Sequence, residues 1–418
     1  MKNVIMGAFA LLFGTLLTAQ NNPSTVNQLG FGNVSNNIQL GDNNVIKVDQ
    51  VGDFNVSLIT QIGFNNITCV EQIGDFNYSE ADQLGNDNLN NGLQLGDANF
   101  LDVDQVGNAN FNDTNQIGDS NSSITLQMGD SNYAETYSEG NSSVISVNQN
   151  GDSNLASVYQ DGNQNAGDLT QIGDSNSGEI IQEGNLNVGA LDQQGNNNFA
   201  YIFQDGNTNE GYASQLGDSN SAETLQIGNL NDSEIDQDGD GNFGTGSQSG
   251  NRHVSNIVQD GEGNVASARQ INRRNESDIV QQGDSNFSSV LQNGRRNENF
   301  SNQIGFSNNN QVRQFGRRHV SNVLQLGDFN KNVTVQIGRR NESNVFQIGD
   351  GNCSTVTQVG IDNTAFNIQI GNGHDAGILQ TGNNNFGYII QTGATPFATT
   401  ITQTGSQNYG VINTNGAF

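Results

Sequence analysis

The chain lacks most of what a conventional globular core or active site is built from. Its 418 residues include no Trp, two Pro, two Cys, three His and 14 Lys or Arg against 43 acidic residues, and only 33% are hydrophobic. Two cysteines are too few for a disulfide framework, and Cys69 and Cys353 occupy different positions of the repeat described below, so no bridge between them is expected. With a net charge of −29 and so little apolar material, an ordinary oily interior would not offset the entropy of ordering the chain. Long hydrophobic runs are missing as well, except for Val4 to Leu17, which follows Lys2 and precedes the small residues Thr18 and Ala19. That pattern reads as a secretory signal peptide over residues 1–19, too short for a membrane span and with no Cys after the cleavage region for a lipid anchor. Residues 20–27 read as a short N-terminal segment and 28–418 as one repeat domain, with no transmembrane segment.

What the chain has is a repeat. Steps of 11 residues from Gln28 to Gln391 visit 34 positions, and 33 are Gln, Ser138 being the exception. Taking each Gln as slot 0, slot 2 is Gly in 33 of 34 units, failing only at Asn272, and slot 5 is Asn in 29. Slot 7 is usually small and slot 9 usually β-branched or aliphatic. Regular positions two apart describe a strand with one face turned inwards, and the Gly of slot 2 (Gly30, Gly41, Gly283, Gly294) supplies the freedom of a tight turn. Each 11-residue unit is then one strand and one turn.

Slot 3 sets the length of a coil. In alternate units it reads Asp53, Asp75, Asp97, Asp119, then Asn from 141 to 251, then Arg273, Arg295, Arg317, Arg339, while the other series is mostly Asp and holds no basic residue. The true period is therefore 22. The expected fold is all-β: a flat two-sheet, cross-β solenoid of about 17 coils with two strands per coil, whose opposite turns form two edges, one of them acidic at one end and basic at the other. Stacked coils place Gln over Gln and Asn over Asn, and the amides of Gln28, Asn33, Gln39, Asn44, Gln281, Asn286, Gln292, Asn297 and Gln391 are expected to hydrogen-bond along the axis as an interior ladder. No capping sequence is apparent at either end, so the ends are expected to pair with further copies.

The frame Q-x-G-x-x-N-x-[small]-x-x-x-Q, as in "QDGNQNAGDLTQ" from Gln160 to Gln171, resembles the curlin repeat of bacterial curli fibre subunits across nearly the whole mature chain. The resemblance implies a secreted, cell-surface-associated fibre subunit that polymerises with itself through its Gln and Asn columns and serves biofilm matrix, adhesion and cell aggregation. It implies a curlin-like nucleator and curli-type secretion and assembly proteins as partners. Curli subunits carry only a few such repeats, and a stack this long could nucleate itself.

Other constellations carry less. His253, His319 and His374 all sit in slot 5, coils apart, and read as replacements for Asn rather than as a metal site. "DQDGDGN", Asp236 to Asn242, imitates the start of a calcium loop but has Ser247 where the twelfth-position carboxylate belongs. Of the 14 basic residues, 12 lie between Arg252 and Arg340, yet Glu276, Glu298 and Glu342 follow the Arg pairs closely, so a locally paired ladder is expected and no specific nucleic-acid partner. No catalytic constellation or phosphate loop is present, so neither enzymatic activity nor a cofactor is expected. The alternative function is a monomeric β-solenoid adhesin or ligand-binding surface, ice-binding for instance, which would need a regular outward row such as Thr-x-Thr; none is found. A β-helical polysaccharide enzyme would need loops forming a cleft, which an uninterrupted 11-residue period leaves no place for.

Overall fold

The alternation of regular and variable slots becomes 36 short strands, numbered β1 to β36 in chain order, in a computed structural model that describes residues 21–416. The proposed signal peptide lies outside these residues. The series opens with β1 (Ser24–Leu29), β2 (Val34–Leu40), β3 (Val45–Val51) and β4 (Val56–Phe64) and closes with β33 (Asp375–Asn383), β34 (Phe386–Gly393), β35 (Ala398–Ser406) and β36 (Tyr409–Asn415). Each odd strand pairs in parallel with the next odd strand and each even strand with the next even one, at an offset of 22 residues: Gln28 beside Gln50, Gln39 beside Gln61. The result is a β-solenoid of two parallel sheets, one odd and one even. Neither sheet closes on itself, since among the described residues β1 pairs only with β3, β2 with β4, β35 with β33 and β36 with β34. There are 18 coils, one more than the Gln count suggested. The extra coil follows Gln391, where one inserted residue near Pro396 shifts the offset to 23 and Gln380 pairs with Gln403.

Strand faces alternate between buried and open, as in Phe199–Asp205 and Val188–Gln194, apart from exposed β1 and from β30 (Glu342–Ile348), where Asn344 is buried as well. The interior between the sheets is so thin that facing residues must compensate in size. A Cβ on Gly189 in slot 7 would lie 2.9 Å from Ile180 in slot 9, and on Gly211 it would lie 3.0 Å from Ile202. Where slot 7 is large, slot 9 shrinks: a Cβ on Gly92 would come within 2.5 Å of Leu101. The apolar spine runs from Ala134 to Ile401, with a second stretch from Ile46 to Ala81. Between them the same slots hold buried Asn90, Asn112, Thr114, Ser123 and Thr125.

The slot 2 glycines are required twice over. Gly52 has φ of 119°, a left-handed conformation unfavourable to L side chains, and a Cβ there would sit 2.1 Å from the carbonyl oxygen of Gly74 in the next coil. Asn272, the one exception, keeps a φ of 86°.

Candidate functional site: amide ladders and turn edges

Interior Gln side chains are held on three sides. Gln72 receives Gln50 Nε2 at 2.7 Å on its own Oε1, and its Nε2 donates to Gln94 Oε1 at 2.8 Å and across the interior to the Val56 carbonyl at 3.0 Å. Gln281, Gln292 and Gln303 repeat this arrangement, Gln281 donating to Gln303 and Gln292 to Gln314 at 2.8 Å each. Every link runs the same way, from the amide nitrogen of one coil to the amide oxygen of the next towards the C-terminus. At the first coil Gln28 and Gln39 donate to Gln50 and Gln61 at 2.7 and 3.0 Å, but they are exposed and half-buried respectively because no described coil lies above them. At the other end Gln391 accepts from Gln369 at 3.0 Å and then meets Thr414 in register, while Gln403 Nε2 donates to the Phe386 carbonyl at 2.8 Å.

The Asn column works differently. Its side chains tie backbone to backbone: Asn33 Nδ2 donates to the Gly52 carbonyl at 2.8 Å and Asn33 Oδ1 accepts the Asn55 N–H at 2.9 Å. Asn44 does the same with Gly63 and Asn66, Asn286 with Gly305 and Asn308, and Asn297 with Gly316 and His319. Slot 5 therefore locks each glycine turn to the next. The histidines in this slot imitate Asn with the ring: Nδ1 of His253, His319 and His374 accepts the N–H of Asn275, Asn341 and Phe397 at 3.3 Å each. The His319 Nε2 lies 3.1 Å from the Phe315 carbonyl, which fixes the neutral tautomer with the proton on Nε2. Burial holds the pKa of His253 and His319 below the usual imidazole value.

Ser138 interrupts the Gln ladder. Gln116 Nε2 reaches only the Phe100 carbonyl, and buried Gln160 Oε1 has no partner.

A further ladder escaped the sequence reading, which treated slot 3 as charge display. Whenever slot 3 holds Asp or Asn in the central coils, its Oδ1 accepts the N–H of the slot 3 residue one coil earlier: Asp53 from Phe31, Asp75 from Asp53, Asp97 from Asp75, Asp119 from Asp97, Asn141 from Asp119, at 2.7–2.9 Å. The opposite edge repeats this, Asp152 accepting from Asp130 and Asp240 from Asp218. Asp and Asn interchange here because both offer the same oxygen, and that interchange was the available signal. In the Arg block the strands themselves continue through the turn, pairing Arg273 with Arg295, Arg295 with Arg317 and Arg317 with Arg339, and these four side chains stand exposed.

The expected pairing of these arginines with Glu276, Glu298 and Glu342 does not occur. Among the described residues the ion pairs are Lys47 with Asp49 and Arg340 with Asp362. The latter is bidentate, both contacts at 2.6 Å, and runs along the axis to the next coil; each Glu instead begins the following strand beyond a buried slot 5 residue. No group of His, Cys, Asp and Glu with the geometry of a metal site occurs among the described residues. Cys69 and Cys353 are free. No helix among the described residues is long and apolar enough to cross a membrane.

No curated protein matches the chain. The family model of the curlin associated repeat matches residues 41–68, 173–206 and 195–228, and these windows fall on the same coils as the Gln, Gly and Asn slots described above. The 22-residue coil that carries these matches continues on either side of them as far as Gln391, a pattern consistent with a curlin-repeat family member with many repeats.

Proposed function

We propose that the chain is the structural subunit of an extracellular, curli-like amyloid fibre, exported by way of residues 1–19 and built by stacking copies head to tail for biofilm matrix and cell adhesion. The observation that carries this reading is the polarity of the Gln ladders. The N-terminal coil offers free amide oxygens on Gln28 and Gln39, and β1 is exposed along its whole length, while Gln403 at the other end keeps an N–H to give. Donors face acceptors when β35 of one copy meets β1 of the next, with Gln403 over Gln28. The family and fold support a non-catalytic role. By analogy with curli, a nucleator and dedicated secretion proteins would serve it, although 18 coils provide a long template of their own.

Electron microscopy and fibre diffraction of the mature protein at low micromolar concentration test the reading. Unbranched fibres with a meridional reflection near ~4.8 Å are expected. Replacing Gln281, Gln292 and Gln303 with Ala should slow growth far more than replacing Ser289, Asn293 and Asn302, which point outwards. A protein that stays monomeric would move the function to a surface adhesin.

A further inference from the structure

One edge of the solenoid carries a charge sequence that is its own complement when reversed. Number the coils from 1, so that coil 1 contains β1 and β2. Slot 3 of the odd strands is then Asp in coils 2 to 5 (Asp53, Asp75, Asp97, Asp119), Asn in coils 6 to 11 (residues 141 to 251), and Arg in coils 12 to 15 (Arg273, Arg295, Arg317, Arg339). Place a second copy antiparallel, so that coil n faces coil 17 − n. Asp53 then faces Arg339, Asp75 faces Arg317, Asp97 faces Arg295 and Asp119 faces Arg273; the two-fold axis gives the same four pairs again, and the six Asn rungs face one another. We infer that this edge is a two-fold interface at which two copies of the chain lie side by side, antiparallel.

Three observations support a second copy as the occupant. Arg273, Arg295, Arg317 and Arg339 form no ion pair among the described residues, and of the slot 4 arginines beside them only Arg340 is paired, with Asp362. The facing carboxylates can accept them, because Oδ1 of each Asp is held by a backbone N–H, which leaves Oδ2 as the second oxygen for a guanidinium. The spacing matches by construction, since both rows advance by one coil of ~4.8 Å. Slot 4 adds a matching pair of features. Phe54 and Phe76, stacked at 5.3 Å and exposed on this edge, face Arg340 and Arg318, which suits guanidinium packing on aromatic rings. A diffuse polyanion would meet the same arginines but would be repelled by the rest of a chain with net charge −29. The pairing does not depend on fibre growth, although subunits of 18 coils would repeat it along two antiparallel filaments.

The test is charge reversal with restoration, read by sedimentation below the concentration at which fibres grow. The parent should dimerise at 50 mM salt and weaken by about 10-fold or more at 500 mM. Changing Arg273, Arg295, Arg317 and Arg339 to Asp should abolish dimerisation. Asp53, Asp75, Asp97 and Asp119 to Asn, which keeps the backbone-bonded oxygen, should weaken it about 10-fold. Combining the Arg→Asp set with Asp→Arg at the other four positions should restore it, with circular dichroism verifying the fold. Orientation is read separately from spin labels on a background with Cys69 and Cys353 changed to Ser. Label-to-label separation along the axis should be about one rise for Leu186→Cys in coil 8 and about seven rises, ~34 Å, for Ser120→Cys in coil 5. Folded reversal variants that dimerise like the parent would overturn the inference. Equal separations from the two label sites would do so as well, since they indicate a parallel, staggered pair.

Discussion

Ser138 is the only break in the Gln columns between Gln28 and Gln391, and repairing it measures what the ladder contributes. A Gln at 138 would accept from Gln116 Nε2, donate to Gln160 Oε1, and send its other N–H to the carbonyl of Ser122, sixteen residues back, as its neighbours do. Three amide bonds contribute about 1 kcal/mol each net, and satisfying the stranded Gln160 oxygen adds about 1 kcal/mol, against about 2 kcal/mol for immobilising the new side chain. About 2 kcal/mol should remain. In a stack where each coil touches only its neighbours, that gain is local, so hydrogen exchange is the assay of choice. Amides of Tyr133–Glu139 and of the strands beside it, Phe111–Ile117 and Leu155–Asp161, should exchange about 30-fold more slowly in Ser138→Gln, while those near either end do not change. Unchanged or faster exchange at these strands would refute the claim that the amide ladder stabilises the stack. It would leave the apolar spine as the source of cohesion.

Two further outcomes follow from the slots. Gly52→Ala should cost at least about 3 kcal/mol, because the new Cβ meets the Gly74 oxygen and φ is 119°, whereas Gly351→Ala, at φ of 67° with no atom nearby, should cost about 1 kcal/mol in thermal denaturation. His319 is needed neutral, and its folded pKa lies below the unfolded value, so its contribution is complete above about pH 6.5 and lost as pH falls below that, by at most about 1.4 kcal/mol per pH unit. His319→Asn should flatten the pH dependence of stability between pH 7.5 and 5, measured by urea denaturation at each pH.

The strand-and-turn architecture was legible because the period is rigid and its fixed slots alternate: Asn77, Ser79, Ala81 and Gln83 are all buried, as spacing by two requires. The depth of the Gln and Asn columns could be read in the same way. What could not be read from single columns was anything set by two chemically different atoms meeting. The Oδ1 of Asp75 serves the backbone of Asp53, yet in the sequence it looks like a charge on display. Gly92 is small because Leu101, nine residues on, is large, a relation visible only between columns. The Arg340 partner was misjudged because proximity in sequence favoured Glu342, while in a stack the residue 22 away is the nearer neighbour along the axis.

The one-way direction of the Gln links has an electrical consequence for the whole rod. Each Gln side chain carries an amide dipole with its oxygen towards the N-terminal coil and its N–H towards the C-terminal coil, and two columns of them add up as peptide dipoles do in a helix. The Asp block near the first coils and the Arg block near the last lie in the same sense, their centres ten coils or ~48 Å apart. Column and edge reinforce each other, so an isolated subunit carries a dipole along its axis, with the Asp-block side the more negative. Dilute subunits should orient in an electric field like small needles, giving a birefringence signal that falls when the Arg block is neutralised, and two subunits approaching tip to tip are drawn into the polarity that the ladder then closes.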